Sequence, residues 1–284
     1  LNYFLNSYNY YPYFYYNSDM SKQALLNVSQ LAANKGAAEL EFAVKKVHSL
    51  EASKGGPDGY VKAIEKRVEK IVFEEICKFN PEDNLISKHI GHQINNSNVT
   101  WILKPIDGIE NFINGYPHFS ISLCSMINNE VMSAVVIDPI RREEFAAYKG
   151  GGANLNNNRI RSSKQQGLDD AMLSFTKPIR SSKDTKYDFE KSYKELANQN
   201  LNMRETGCLS LDLSYIGTGR VDGIWSYGVD IADFAAGSLI AQEGGALVSN
   251  FNGDPKFLDG NNIICATAKT YKSILKSVKP YFKD

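Results

Sequence analysis

Several residues of the 284-residue sequence have side chains or amides that could bind a metal ion or a phosphate. His89 and His92 are three positions apart near a predicted loop, a spacing that could ligate a metal ion, but no third ligand accompanies them. Such a pair is more often solvated or caps a core. The run Gly150–Gly152 predicts a hairpin bend rather than a phosphate loop, because no helical pattern follows it. Asp107-Gly108 alone indicates only a turn.

Composition excludes several classes of protein. The 32 Lys and Arg residues balance 32 Asp and Glu residues, which argues against a dedicated nucleic-acid module. No run of about 18 apolar residues could span a bilayer, so we expect no membrane association. The cysteines are widely spaced and form no CxxC pair, which is typical of reduced thiols in a cytoplasm; they are Cys77, Cys124, Cys208 and Cys265.

The first 19 residues differ from the rest of the chain. They hold seven of the sixteen tyrosines, carry no basic residue, and have asparagines between their apolar runs, so they do not resemble a signal peptide. Met20-Ser21-Lys22 looks like an ordinary translation start. We therefore expect residues 1–19 to be a disordered or artefactual extension, with an aromatic binding arm as the alternative, and residues 20–284 to form one domain.

Helical periodicity leads this domain. Apolar residues predict a first helix from Met20, with Leu25, Val28, Leu31, Ala32, Leu40 and Val44 on one face. After a predicted turn at 55–59, a second helix has the same period at Val61, Ile64, Val68, Ile71, Val72 and Ile76. Later helices are predicted over 191–199 and 232–245, the second ending at Gly244-Gly245, and a basic helix over Lys269–Lys283.

Between these helices the sequence changes to β-rich runs. Four runs predict strands, with an Asn-Asn-Glu turn between the middle pair; they are WILKPI, FSISLCSMI, VMSAVVIDP and EFAAYKG, within residues 101–150. No internal repeat and no linker is visible after residue 20. One mixed domain of the α+β class is therefore expected.

Four segments together resemble the inositol monophosphatase family, and most closely its bacterial SuhB-like branch. They occur in the family's order and spacing at 101–112, 138–163, 205–225 and 233–253. The resemblance covers about residue 22 to the end. It implies a layered α-β-α-β-α sandwich and, by family, a phosphomonoesterase that uses Mg²⁺.

The family chemistry explains the form of the usual motif, Asp-Pro-(Ile/Leu)-Asp-Gly-Thr. Its carboxylates, with a Glu-Glu pair upstream, hold hard Mg²⁺ ions against a phosphate. Its Gly-Thr amides cradle the phosphate, and the Thr hydroxyl orients the attacking water. Half of this motif is lost here: Lys104 takes the first aspartate position and Ile109 the Thr position, while Asp107 and Gly108 are retained.

The resemblance also assigns the remaining site positions. Lys88 and His89 replace the upstream Glu-Glu pair, and Asp233 matches the last metal-binding aspartate. Residual metal ligands would then be Asp107, Asp233 and the backbone carbonyl of Ile106. Substrate or anion contacts would come from Lys104, Gly108, Ile109, Cys208, Leu209 and Ser226, of which Ser226 replaces a substrate-binding glutamate. Asp212 is expected to have a role in a helix rather than in catalysis.

Two lysines in place of two carboxylates change the local charge by four units. Unit charges 4 Å apart interact by about 4 kcal/mol at an effective dielectric near 20, so a divalent cation should be excluded and Mg²⁺ should bind weakly or not at all. One interpretation is that Lys104 neutralises Asp107 and Asp233 and substitutes structurally for the metal. The other is that Lys88, Lys104 and the amides near Gly108 bind phosphate or inositol phosphate without cleaving it.

The resemblance implies partners as well. SuhB-like proteins act in transcription antitermination, which predicts contacts with NusA or RNA polymerase, and the family predicts a homodimer. We therefore expect a pseudoenzyme that acts through protein contacts or anion binding. The alternatives are a Mg²⁺-dependent hydrolase of inositol-1-phosphate or a related phosphomonoester with an altered site, and an eroding gene product without a selected function.

Overall fold

The first helix, α1, runs over Lys22–Val44 and is capped by Ser21, whose hydroxyl accepts the N–H of Ala24 at 3.2 Å. The structure is a computed structural model that describes residues 21–47, 56–176 and 187–283, so the predicted extension 1–19 lies outside the described residues. The inward face is as predicted except at Leu31, which is 44% exposed. Six residues beyond Leu25, its side chain is rotated by about 240° around the helix and points away from the core.

The second helix, α2, spans Gly56–Cys77. The predicted turn at 55–59 is wrong over its described part, because Gly56 to Gly59 already belong to this helix. Pro57 is compatible with the first turn, where its missing N–H would have no partner in any case. The buried face contains the predicted apolar residues except the partly buried Ile71, and it also contains three glutamates, Glu65, Glu69 and Glu75.

The four predicted β-rich runs lie within an eight-stranded sheet, whose order is β2-β1-β3-β4-β5-β6-β7-β8. Its strands are β1 Asn84–Ser87, β2 Gly91–Gln93, β3 Val99–Asp107, β4 Ser120–Ile127, β5 Glu130–Asp138, β6 Glu143–Tyr148, β7 Gly152–Leu155 and β8 Asn158–Arg159. Asn128 and Asn129 form the predicted turn with φ of 52° and 61°. The glycine run at 150–152 is the predicted bend between β6 and β7.

A five-stranded sheet follows, in the order β10-β9-β11-β13-β12. Its strands are β9 Met172–Thr176, β10 Asn202–Arg204, β11 Gly223–Tyr227, β12 Leu247–Ser249 and β13 Asn262–Ala266. The remaining helices are α3 Ile109–Ile113, α4 Phe189–Ala197, α5 Leu209–Thr218, α6 Ile231–Glu243 and α7 Ala268–Val278. The basic helix predicted to reach Lys283 ends at Val278 and gives way to a short 3-10 turn, because Pro280 has no N–H to donate to the carbonyl four residues back.

The elements stack into five layers. Helices α1 and α2 cover one face of the eight-stranded sheet, while α5 and α6 lie between the two sheets. Helices α4 and α7 cover the outer face of the second sheet. This arrangement confirms the predicted α+β class and the α-β-α-β-α sandwich. No helix among the described residues combines the length and apolar character needed to cross a bilayer.

The two middle helices approach each other through small residues. A Cβ atom at Gly237 of α6 would lie 2.7 Å from the Cβ of Leu213 and 3.0 Å from the carbonyl oxygen of Ser210, both on α5. Neither atom is the end of a flexible side chain, so any larger residue would have to push the helices apart. Glycine at 237 therefore sets the α5–α6 spacing.

We predict that Gly237→Ala destabilises the fold by about 1–3 kcal/mol, because overpacking outweighs the gain of about 1 kcal/mol in helix propensity. Gly36→Ala in α1 is the matched control, since its new methyl would meet side-chain carbons of Ile121 and Val72 that can shift more easily. Urea unfolding of both variants measures the difference. An equal or smaller loss for Gly237→Ala would contradict the backbone constraint.

Candidate functional site

The site is built on an irregularity in strand β3. Lys104 pairs with Ser122 of β4 and Asp107 pairs with Ser120, so three steps on β3 match two on β4. Side chains three apart in a regular strand point to opposite faces. The bulge contains Pro105, which has no N–H to give to a ladder, and it allows Lys104 and Asp107 to share the face that meets the middle helices.

Lys104 forms an ion pair with Asp233, the third residue of α6. The ammonium donates to Oδ1 of Asp233, while Oδ2 accepts the backbone N–H of Asp230 at 2.9 Å. Asp230 in turn accepts the N–H of Ala232 at 2.9 Å, which completes a reciprocal cap at the start of α6. Both oxygens of Asp233 are therefore engaged within the protein.

Asp107 is engaged in a similar way at the start of α5. Its Oδ2 accepts the backbone N–H of Ser210 at 2.7 Å and the Ser210 hydroxyl at 2.6 Å. The thiol of Cys208 lies 3.4 Å from the same oxygen. Because a helix N-terminus favours negative charge, Asp107 anchors α5 to the end of β3.

The pKa shifts follow from this arrangement. Burial disfavours the charged form of Lys104, but attraction to Asp233 and Asp107 outweighs it and raises the pKa of the ammonium above its usual range. Burial raises the pKa of Asp107, against the opposing effects of Lys104 and the Ser210 hydrogen bonds. Lys104 therefore remains a cation between two acidic side chains at neutral pH.

The donor set does not fit a divalent metal ion. The carboxylate of Asp233 is paired with the Lys104 ammonium, and the carboxylate of Asp107 accepts the backbone N–H of Ser210 at the start of α5. Within residues 21–47, 56–176 and 187–283, no group of three or more His, Cys, Asp or Glu side chains is placed to hold a metal. Mg²⁺ usually needs several oxygen ligands and strict octahedral geometry, which these engaged carboxylates do not offer.

Lys88 forms a second ion pair, with Glu65 of α2. Its ammonium lies 3.1 Å from both carboxylate oxygens, and Nε2 of His89 lies 2.8 Å from one of them. Glu69, one turn further along α2, accepts the Ser87 hydroxyl at 2.6 Å and the N–H of His89 at 2.9 Å. The β1–β2 turn is thus fixed to α2 by two buried carboxylates.

His89 and His92 lie in different surroundings and do not face a common point. His89 faces Glu65, whereas His92 is an exposed residue of strand β2. Lys88, His89 and Ile109 line a cavity of about 440 Å³ together with Glu65. Gly108, with φ of 84°, precedes Ile109 and meets the His118 carbonyl so closely that a Cβ would lie 3.0 Å from it. A residue other than glycine would be strained there.

The other predicted contact residues lie deeper. Cys208 is fully buried against Asp107, and Leu209 packs between α5 and the second sheet. Ser226 lies on β11, where its hydroxyl has no hydrogen-bond partner in the described part of the chain. Ile106 is fully buried in the bulge of β3. The structure therefore brings Lys104, Asp107, Asp233 and Cys208 together, while Lys88 pairs with Glu65.

Two contributors were not predicted from the sequence. Ser210 donates hydrogen bonds to Asp107, which lies 103 positions earlier in the chain, and nothing in the sequence around Ser210 indicates that contact. Glu65 could have been predicted from the sequence, because a glutamate on the apolar face of an amphipathic helix requires a buried partner.

Five layers with α5 and α6 between two sheets define the class of a sugar-phosphatase-type sandwich, and comparison with known proteins agrees. The sequence pattern of the inositol monophosphatase family matches residues 21–281. The protein named Nus factor SuhB from Pseudomonas aeruginosa is 32% identical over 264 residues, covering 91% of this chain and 97% of that protein. Its namesake from Escherichia coli K12 is 32% identical over 261 residues, covering 92% and 97%.

Solved structures give the same result. The extragenic suppressor protein suhB from Bartonella henselae superposes with a TM-score of 0.81 at 28% identity, covering 90% of this chain and 98% of that one. The inositol monophosphatase from Anabaena sp. PCC 7120 gives a TM-score of 0.78 at 25% identity, covering 90% and 95%. The chain belongs to the inositol monophosphatase family, and its SuhB-like character, expected from the motifs, is confirmed.

We predict that Lys104→Met destabilises the protein by about 2–4 kcal/mol, because it leaves two neighbouring carboxylates without their cation. Combining it with Asp233→Asn should restore much of that loss, since the double variant removes both charges. Lys88→Met serves as the control, because Lys88 is 50% exposed and Glu65 keeps His89 as a partner. Urea unfolding of the parent, Lys104→Met, Asp233→Asn, the double variant and the control tests the coupling, which additive losses of the two single variants would disprove.

A second prediction concerns Asp212 of α5, which is 1% exposed and accepts the Thr206 hydroxyl at 2.7 Å. Burial raises its pKa to about 7, against the hydrogen bond from Thr206. A raised pKa means that the folded state holds a proton that the unfolded state releases. This contribution to stability is complete below about pH 4 and is lost as the pH rises to about 7.

Asp212→Asn should therefore gain about 2–3 kcal/mol in stability on the parent between pH 5 and pH 8, because the parent loses this contribution steadily above about pH 4 and carries a buried charge at pH 8. Urea unfolding at both pH values measures the difference between the two proteins. The same difference at pH 5 and pH 8 would show that Asp212 does not titrate in this range.

Proposed function

We propose that this chain does not hydrolyse phosphate monoesters by a magnesium-dependent route and that it acts through protein contacts of the transcription antitermination type. The observation that carries the proposal is the Lys104 ammonium on Asp233. The resemblance puts a metal-binding carboxylate of the family motif at position 104, and here that position holds a positive charge that belongs to the protein itself.

Metal-assisted hydrolysis requires a bound cation and a group that orients the attacking water, and both are affected here. A cation brought to within about 4 Å of the Lys104 ammonium meets a repulsion of about 4 kcal/mol per unit charge at an effective dielectric of 20. The Thr hydroxyl of the motif is absent at Ile109, so this position offers no group to orient a water molecule. Family members generally use Mg²⁺, whereas in the described part of this chain the retained carboxylates of Asp107 and Asp233 already accept Ser210 and Lys104.

Protein contacts are supported by what the chain retains. It matches the family over residues 21–281, and two relatives at 32% identity are named Nus factors. We therefore assign NusA or RNA polymerase as the partners to test, with a cytoplasmic homodimer formed by a single domain, residues 20–284. This role needs the layered scaffold and no hydrolysis.

Anion binding by the two lysines has less support. Lys104 is already paired with Asp233, and Lys88 is paired with Glu65. Inositol phosphate would have to displace a carboxylate from each ammonium before it could bind both. The geometry favours lysines with a structural role over a phosphate sensor.

The purified protein should release no phosphate above background from inositol-1-phosphate or other monoesters with millimolar Mg²⁺, and it should bind purified NusA or RNA polymerase.

The double variant Lys88→Glu/Lys104→Asp returns the two carboxylates of the family motif. We expect it to gain a Mg²⁺-binding signal in isothermal titration calorimetry that the parent lacks.

The matched control is Lys269→Glu/Lys272→Asp, which makes the same change in charge at two exposed lysines of α7. Mg²⁺-dependent turnover by the parent at rates usual for family enzymes would disprove the loss of hydrolysis. Failure to bind either partner would disprove the second half of the proposal.

A further inference from the structure

A long groove runs between α2 and the β1–β2 turn. Two adjoining cavities of about 440 and 450 Å³ share His89. The residues that α2 contributes are spaced three and four apart from Asp58 to Cys77, so they form one continuous stripe of the helix. At 1.5 Å per residue this stripe is about 28 Å long.

The outer edge of the groove is cationic. Lys62, Lys66 and Lys70 are exposed and recur every four residues along α2. Lys62 and Lys66 form no ion pair within the described residues, and Lys70 has only a 3.8 Å contact with the exposed Glu74. Exposed pairs of this kind contribute little to stability, so these ammonium groups are available to a partner.

The acidic residues along the same stripe do not cancel this edge at the surface. Glu65 is 1% exposed and Glu69 is 2% exposed, and both are bound by side chains or amides of the β1–β2 turn. Asp58 and Glu74 lie at the two ends of the exposed row. The centre of the row therefore presents positive charge to solvent.

The floor of the groove is apolar in its second half. Phe73, Cys77 and Leu85 line it, and Ile90 stands at its rim with 41% of its surface exposed. An apolar floor beside a charged edge is the usual surface for an amphipathic helix.

We propose that this groove binds an acidic amphipathic α-helix of a partner protein. Acidic side chains four apart on that helix would face Lys62, Lys66 and Lys70, because both rows repeat about every 6 Å. A leucine-sized side chain would enter between Phe73 and Ile90. The inference rests on the proposed function, for which it supplies the surface and the chemistry of the partner.

The probe is a labelled 20-residue helical peptide with glutamates four apart beside a leucine stripe. We expect saturable binding in fluorescence anisotropy that weakens with salt. Lys62→Glu/Lys66→Glu/Lys70→Glu, and separately Ile90→Glu, should each weaken binding at least tenfold. Circular dichroism checks that these surface variants keep the parent fold.

Three controls give the test its specificity. Lys269→Glu/Lys272→Glu/Lys276→Glu makes the same charge change on exposed lysines of α7 and should leave binding unchanged. A peptide with its glutamates replaced by lysines, and one with two central prolines, should each bind at least tenfold more weakly.

The proposal is overturned if the parent shows no saturable binding up to about 1 mM peptide. It is also overturned if the α2 variant binds as well as the α7 variant, or if the α2 and Ile90 changes dissociate a homodimer, which would make the groove a contact between two copies. Binding of NusA or RNA polymerase that survives the α2 substitutions would refute the groove and leave the proposed function standing. Absence of that binding in the parent would refute the proposed function, whatever the peptide result.

Discussion

The ion pair between Lys104 and Asp233 is the interaction on which the site depends. It joins the end of β3 to the start of α6, while Asp107, three residues further on, joins the same strand to the start of α5. The first sheet is thereby fastened to both helices of the middle layer. Because a carboxylate in a protein interior is costly without a partner, the lysine and the helix termini make these acidic side chains tolerable.

The acidic side chains of this cleft therefore have structural partners. Asp233 completes the cap of α6, Asp107 caps α5, and Glu65 accepts Lys88. In each case the charge is satisfied by a group belonging to the chain. The helix starts and the ends of the strands are thereby joined by contacts within the chain itself.

Much of the fold could be predicted from periodicity and turn chemistry. The four β-rich runs became β3 to β6, and the asparagine pair at 128–129 turned between two of them, because alternation and left-handed asparagines are local properties. The errors also have local reasons. Leu31 has the three-residue spacing of the apolar helix face, yet its side chain faces outward. Pro57 is typical of a turn, but proline also fits the first turn of a helix, where it lies here.

The sequence by itself determined the chemistry of the altered motif: a lysine at 104, an isoleucine at 109, and aspartates at 107 and 233. Only the tertiary structure decided which charge meets which. Lys104 and Asp233 are 129 positions apart, and they meet because a strand bulge turns the lysine toward a helix whose cap already holds the aspartate. The sequence gives the identity of each side chain directly. The pairing of buried charges depends on how distant elements pack, and local sequence patterns do not show that packing.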